Sequence, residues 1–78
     1  ADVNGTNESK TTPLHFASHY GNKETAELLI TKGADVNAKD IDDKSPLDFA
    51  IEDNHLEIAD LLRKNGGKTK KELEAEGK

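Results

Sequence analysis

The stretch TTPLHFA at residues 11–17 returns as KSPLDFA at residues 44–50, and sliding the whole chain by 33 residues turns that echo into a register. At this offset ADVN (1–4) falls on ADVN (34–37), Thr12-Pro13-Leu14 on Ser45-Pro46-Leu47, and Phe16-Ala17 on Phe49-Ala50. Leu28-Leu29 falls on Leu61-Leu62, and Gly33 on Gly66. Turn, cap and apolar positions match together, which chance composition does not arrange. One structural unit is written twice, over 1–33 and 34–66, and a period of this length is the signature of a stacked repeat architecture. Such a chain builds its core between neighbouring units rather than around a single centre.

Each unit reads as helix, turn, helix, loop. Thr12 and Ser45 are N-caps followed by Pro at the first helical position, where the missing N–H costs nothing and φ is already helical. Gly21 and Asn54 close these short helices with residues that tolerate the left-handed conformation. A second helix is predicted from about Lys23 to Lys32, and again from about Leu56 to Lys64, with Gly33 and Gly66 as stops. Between units lies a polar connection with turn residues, ADVNAKDIDDK; its counterpart ADVNGTNESK carries an Asn-Gly hairpin signal at Asn4-Gly5. With 32% apolar residues, three aromatic ones and no Trp, Met or Cys in 78 residues, a core of large side chains is excluded. Leu14, Ala17, Ala26, Leu28 and Leu29 must instead stack on Leu47, Ala50, Ala59, Leu61 and Leu62, the alanines letting helices approach closely.

These motifs resemble the ankyrin repeat family. Thr12-Pro13-Leu14-His15-Phe16-Ala17 fits the T-P-L-H-x-A signature at the 33-residue period, and Gly33-Ala34-Asp35-Val36-Asn37-Ala38 is similar to the family's inter-repeat segment. The resemblance covers residues 1 to about 68 and implies an all-α solenoid of antiparallel helix pairs with β-hairpin-like loops to one side. Function in that family generally means holding another protein, without catalysis and without a cofactor, through loop tips and the inner face of the short helices. Carried onto this chain, the contact positions are Glu8, Ser9, Thr11, His19 and Tyr20 in the first unit, and Ile41, Asp42, Lys44, Glu52 and Asp53 in the second. The two sets differ in almost every residue: fixed positions build the stack, and changed ones are available for a surface. For each charged member, a merely solvated side chain is the simpler alternative.

Two departures from the family pattern carry expectations. His15 becomes Asp48 in the second unit, where an acid completes a capping box with Ser45 but removes the imidazole by which, in the family, neighbouring repeats are tied. Lys10 and Asp43 stand where the family has a loop Gly, which predicts distorted loops, because Lys accepts positive φ poorly.

The net charge of -5 divides into -1 over residues 1–33, -7 over 34–62 and +3 over 63–78. The acidic middle argues against a nucleic-acid backbone as main partner, since that affinity comes from clustered Lys and Arg; Lys68, Lys70 and Lys71 are interleaved with Glu72, Glu74 and Glu76. No apolar run approaches a membrane span. The absence of cysteine excludes disulfides and thiolate metal sites and points to a reducing setting, cytoplasmic or nuclear. Gly67-Lys68-Thr69 ends like a phosphate-binding loop, but Leu62 stands where that motif requires Gly. Asp40-Ile41-Asp42-Asp43-Lys44 begins like a calcium loop, yet its sixth residue is Ser45 and its twelfth Ile51. The sequons at Asn4 and Asn7 matter only in a secreted chain. His15 and His55 match family positions and are structural by that match; no nucleophile, base and orienting acid recur together.

Three expectations concern the ends. Thr69 and Glu72 have capping-box spacing, predicting a polar helix from about Lys70 to Glu76 that covers the last unit's open end. Two units fall below the three or so that a stable stack usually needs, so the chain is expected either to be marginally stable or to gain stability by association through its N-terminal end, where Leu14, Ala26 and Leu29 lack a preceding neighbour. Its start at Ala1, midway through a connection, favours a second reading: a C-terminal structural segment of a longer solenoid whose binding repeats lie elsewhere.

Overall fold

A computed structural model describes residues 5, 6 and 8–76. The chain forms α1 (Pro13–Tyr20), α2 (Lys23–Thr31), α3 (Pro46–Glu52), α4 (Leu56–Lys64) and α5 (Lys70–Glu76). α1 packs on α2 and α3 on α4; across the repeat, α1 packs on α3 and α2 on α4. The short helices thus make one layer and the longer ones another. Among the described residues the connections are turns with no strand. The Asn4-Gly5 turn signal falls partly outside the described residues.

The caps act as their chemistry requires. Thr12 Oγ1 accepts the His15 N–H at 3.3 Å, and Ser45 Oγ accepts that of Asp48 at 3.4 Å. α1 ends on Gly21 at φ 75°, while Asn54 takes φ 62° after α3. α2 stops at Thr31, one residue short of the sequence expectation, with Lys32 as its C-cap.

The core is the predicted set of leucines and alanines except Leu28, which is 54% exposed, and it includes Ile58, which lies outside that set. Leu14, Ala17, Ala26, Leu47, Ala50, Ile58, Ala59 and Leu62 are buried, and Leu29 and Leu61 pack against them half-buried. Leu14 and Ala26 are therefore not uncovered, because packing between helices already encloses them. The uncovered side of the first unit lies elsewhere, as the 33-residue comparison shows. Pro13, Phe16, Thr25 and Leu28 are half-buried or exposed, whereas Pro46 and Ile58, two of their counterparts, are buried and Phe49 and Leu61 half-buried. An open groove of about 540 Å³ runs along this side, with Pro13, Phe16, Tyr20 and Thr25 on its walls.

The loops are not distorted in the way the missing glycines predict. Lys10 and Asp43 themselves adopt the left-handed conformation, at φ 58° and 63°. In the second loop buried Asp40 organises the turn: its Oδ1 accepts the N–H groups of Asp42 at 2.9 Å and Lys44 at 2.8 Å, and its own N–H donates to the Lys44 carbonyl at 3.0 Å. The calcium-loop lookalike is thus a turn stapled by one carboxylate. The two loops are joined where the Ile41 N–H donates to the Ser9 carbonyl at 2.8 Å. Lys10→Gly should relieve a left-handed side-chain penalty of about 1–2 kcal/mol against an unfolded-state entropy cost of about 0.4–1 kcal/mol. A net gain of roughly 0.5–1 kcal/mol is expected, readable as a higher denaturation midpoint.

The ties between units survive the loss of the second imidazole, with reversed polarity. His15 Nδ1 accepts the Thr12 N–H at 3.0 Å, so Nε2 carries the proton and donates to the Lys44 carbonyl at 2.8 Å. Asp48 instead accepts: its Oδ2 takes the Ser45 N–H at 2.9 Å and the Lys70 N–H, at the start of α5, at 2.7 Å. One carboxylate thereby satisfies orphan donors at the first turns of two helices, where negative charge is favoured. The Ser45 hydroxyl donates to the Lys68 carbonyl. Asn37 completes the junction, donating to Gly66 O at 3.0 Å and accepting the Lys68 N–H at 2.8 Å.

α5 itself carries a capping box, with the Thr69 N–H donating to Glu72 at 3.0 Å and the Glu72 N–H to Thr69 Oγ1 at 3.2 Å. That backbone donor holds the Glu72 carboxyl below the ordinary glutamate value, aided by the Thr69 hydroxyl and Arg63 against partial desolvation. A carboxyl with a depressed folded pKa stabilises above its unfolded pKa and loses that contribution as pH falls through the folded value. Amide exchange at Leu73 should therefore speed up, relative to Leu47, as pH drops below about 4.5; in Glu72→Gln this extra acid sensitivity should vanish, and its persistence would assign it to another carboxylate.

Candidate functional site

α1 and α3 lie side by side with their C-terminal ends and the loops before them on one face. On it the structure pairs several residues that the sequence reading left separate. His19 Nδ1 meets Asp53 Oδ2 at 2.6 Å, and Lys44 Nζ meets Glu52 Oε1 at 3.1 Å. The Glu52 hydrogen bond, then its charge, raises the Lys44 pKa above the ordinary lysine value. Ser9 and Ile41 are joined through their backbones as described above. Of the ten predicted contact residues, Glu8, Ser9, His19, Tyr20, Ile41, Asp42, Glu52 and Asp53 are exposed, and Thr11 and Lys44 are half-buried. Tyr20 at 72% and Ile41 at 62% exposure are the large apolar members.

The rings on this face form a connected set. Tyr20 lies nearly parallel to Phe16, centroids 6.4 Å apart, and meets His19 edge-on at 4.8 Å. Phe49 makes T-shaped contacts with His15 at 5.4 Å and His19 at 6.1 Å, with Lys44 Nζ 5.8 Å from its centroid. Between α1 and α3 these rings leave a slot of about 150 Å³, lined by Thr11, His15, Phe16, His19 and Phe49. Sequence reasoning missed His15, Phe16 and Phe49 as site residues. Phe at the same place in both units reads as a fixed stacking position, yet Phe16 is 43% exposed. The available signal was its place one residue after the signature His, on the turn of the helix that also carries His19 and Tyr20.

Hydrogen bonds, ion pairs and ring stacking are what this face offers; it can grip a chain segment. Among the described residues no group of His, Asp and Glu is arranged to hold a metal ion, and no helix is long and apolar enough to cross a membrane.

A family model described as ankyrin repeats in three copies matches residues 1–72, a span that reaches beyond the second 33-residue period into α5. Repeats of this kind are generally protein–protein interaction modules and typically non-enzymatic. Period, signature, caps, paired helices and this match over nearly the whole chain agree, and the chain belongs to the ankyrin repeat family.

Proposed function

We propose that this chain is a non-catalytic binding module in a cytoplasmic or nuclear setting, holding a protein partner on the face built from α1, α3 and the loops before them. The observation that carries this is the joint exposure of Tyr20 and Ile41 on a face whose polar neighbours are already organised into pairs. Asp42, Asp43, Glu52 and Asp53 outnumber Lys44 on the second unit's part of it, so the partner segment is basic and presents an apolar side chain. Complementary charge mainly speeds and orients encounter, while aromatic and apolar anchors supply most of the affinity.

Tyr20→Ala and Ile41→Ala should each weaken binding of a partner recovered by pull-down roughly 5–30-fold, or about 1–2 kcal/mol, at unchanged melting temperature. Lys23→Ala and Glu27→Ala, on α2, should change it less than about two-fold. Equal effects from all four would remove the face from consideration.

The groove beside Pro13, Phe16 and Thr25 favours a second reading, a scaffold segment or a self-associating chain. It sits where the second unit, at equivalent positions, is covered by the first. Sedimentation separates the readings: a mass that rises with concentration supports association, and Thr25→Arg should then abolish it without affecting partner binding.

A further inference from the structure

The slot between α1 and α3 is preformed, and its chemistry selects an occupant. Three of the four imidazole nitrogens in its wall are engaged elsewhere. His15 spends Nδ1 on Thr12 and Nε2 on the Lys44 carbonyl, and His19 commits Nδ1 to Asp53. Both imidazoles stand steeply to the Phe49 ring, at 84° and 71°, and a cavity with two histidines in its wall is nonetheless mostly apolar. The Phe16 wall is steadied by its stack on Tyr20. At about 150 Å³ the slot is well below the ~300–1,000 Å³ of small-molecule sites. It has room for one side chain.

Charge then decides which. Lys44 already places its ammonium over Phe49, so a second cation entering the slot would meet like charge at the ring it needs. An anion would meet the carboxylates of Glu52 and Asp53 at the C-terminal end of α3, the negative end of its dipole. A neutral side chain meets neither obstacle. Outside the slot the acids Asp42, Asp43, Glu52 and Asp53 favour positive charge on the residues that flank it.

We propose that the slot takes a single aliphatic side chain, Leu, Ile or Met, from a partner peptide whose neighbouring residues are Lys or Arg. This rests on the reading of the α1/α3 face as the binding face and adds where the anchor sits. The signature residue His15 and the repeated Phe49 thereby join the recognition surface alongside the variable positions.

The test uses peptides selected from a random linear library displayed on phage against the full chain. Enriched peptides should share one Leu, Ile or Met within two residues of Lys or Arg. Replacing that residue by Ala in a synthetic copy should weaken binding at least ten-fold, whereas norleucine in its place should restore most of it. On the protein side, Thr11→Phe, which fills the slot, should weaken binding similarly while circular dichroism shows the fold retained. Amide shifts on titration should include His15, His19 and Phe49. Peptides that shift Tyr20 and Ile41 but leave those three unmoved, or that bind equally well with Ala, would overturn the slot and leave the face standing. Shifts confined to α2 and α4, or the absence of any selected binder, would count against both.

Discussion

Leu47→Ala is expected to unfold most of the population well below the melting temperature of the parent chain. Leu47 is wholly buried, on the short helix that packs against both α1 and α4, so its loss opens a cavity at the junction of the two units. Truncating such a leucine costs about 2–5 kcal/mol. A chain of 78 residues has roughly 4–12 kcal/mol in all at the usual value per residue, and a two-unit stack belongs at the low end. Leu28→Ala removes the same atoms from a side chain that is 54% exposed and should cost under about 1 kcal/mol. Helical circular dichroism followed through urea, with both variants in parallel, checks the contrast. Similar midpoints would mean that the stack does not centre on Leu47.

Gly21→Ala is expected to be nearly as damaging, although it adds one methyl group. Gly21 sits at φ 75°, where a Cβ costs about 1–2 kcal/mol. That Cβ would also lie 2.6 Å from His55 Cε1 and 2.8 Å from its Nδ1. The ring cannot yield freely, because its Nε2 donates to the His19 carbonyl at 3.1 Å and so ties the second unit to the end of α1. Losing that bond adds about 1 kcal/mol. The sum, roughly 2–3 kcal/mol, corresponds to a melting-temperature fall of about 10–20 °C for a domain of this size. In a His55→Ala background, where the ring and its bond are already gone, Gly21→Ala should recover the part of its cost owed to the ring and keep the backbone term of about 1–2 kcal/mol. Complete recovery would show that the left-handed geometry is not the constraint, and none would show that the ring is not.

Both variants lie at positions whose importance the sequence displays, and the reason is local. Caps, breakers and apolar spacing are properties of a few adjacent residues, so Thr12, Pro13, Gly21, Ser45, Pro46 and Asn54 announce the short helices, and Thr69 with Glu72 announces the span of α5. The 33-residue register adds which helices must stack. Contacts between units are less legible because they depend on how far one unit is turned and shifted against the next. His19 reaches Asp53, which is 34 residues away rather than 33, and no comparison of equivalent positions pairs those two. The role of Asp48 is hidden in the same way, since its partner Lys70 lies 22 residues on. Its change from His reads as the loss of a tie, yet its carboxylate accepts from the first N–H of α5, so the junction is kept with donor and acceptor exchanged.

Exposure at the edges of the stack was misread for a related reason. Leu14 and Ala26 look uncovered when only neighbours in the stack are counted, but the pairing of α1 with α2 and the cover from the second unit enclose them. Phe16 looks like core because Phe49 repeats it, but it has no equivalent of the His15 and His19 rings that pack on Phe49. It became part of the candidate site by the same asymmetry. The loop substitutions at Lys10 and Asp43 were legible as departures, though not in their outcome, because the Asp40 turn and the Ile41–Ser9 bond hold the chain in the left-handed geometry at a local cost.

The claim on which function rests is that the face of α1, α3 and their loops, and not the outer helices, meets the partner. Residue-resolved amide shifts, recorded while a partner recovered by pull-down is titrated in, test it most directly. The largest changes are predicted at residues 8–11, 16–20, 41–44 and 49–53, with the exposed residues Lys23, Glu27, Asp60 and Lys64 of α2 and α4 unmoved. Changes concentrated on Lys23, Glu27, Asp60 and Lys64 would contradict it.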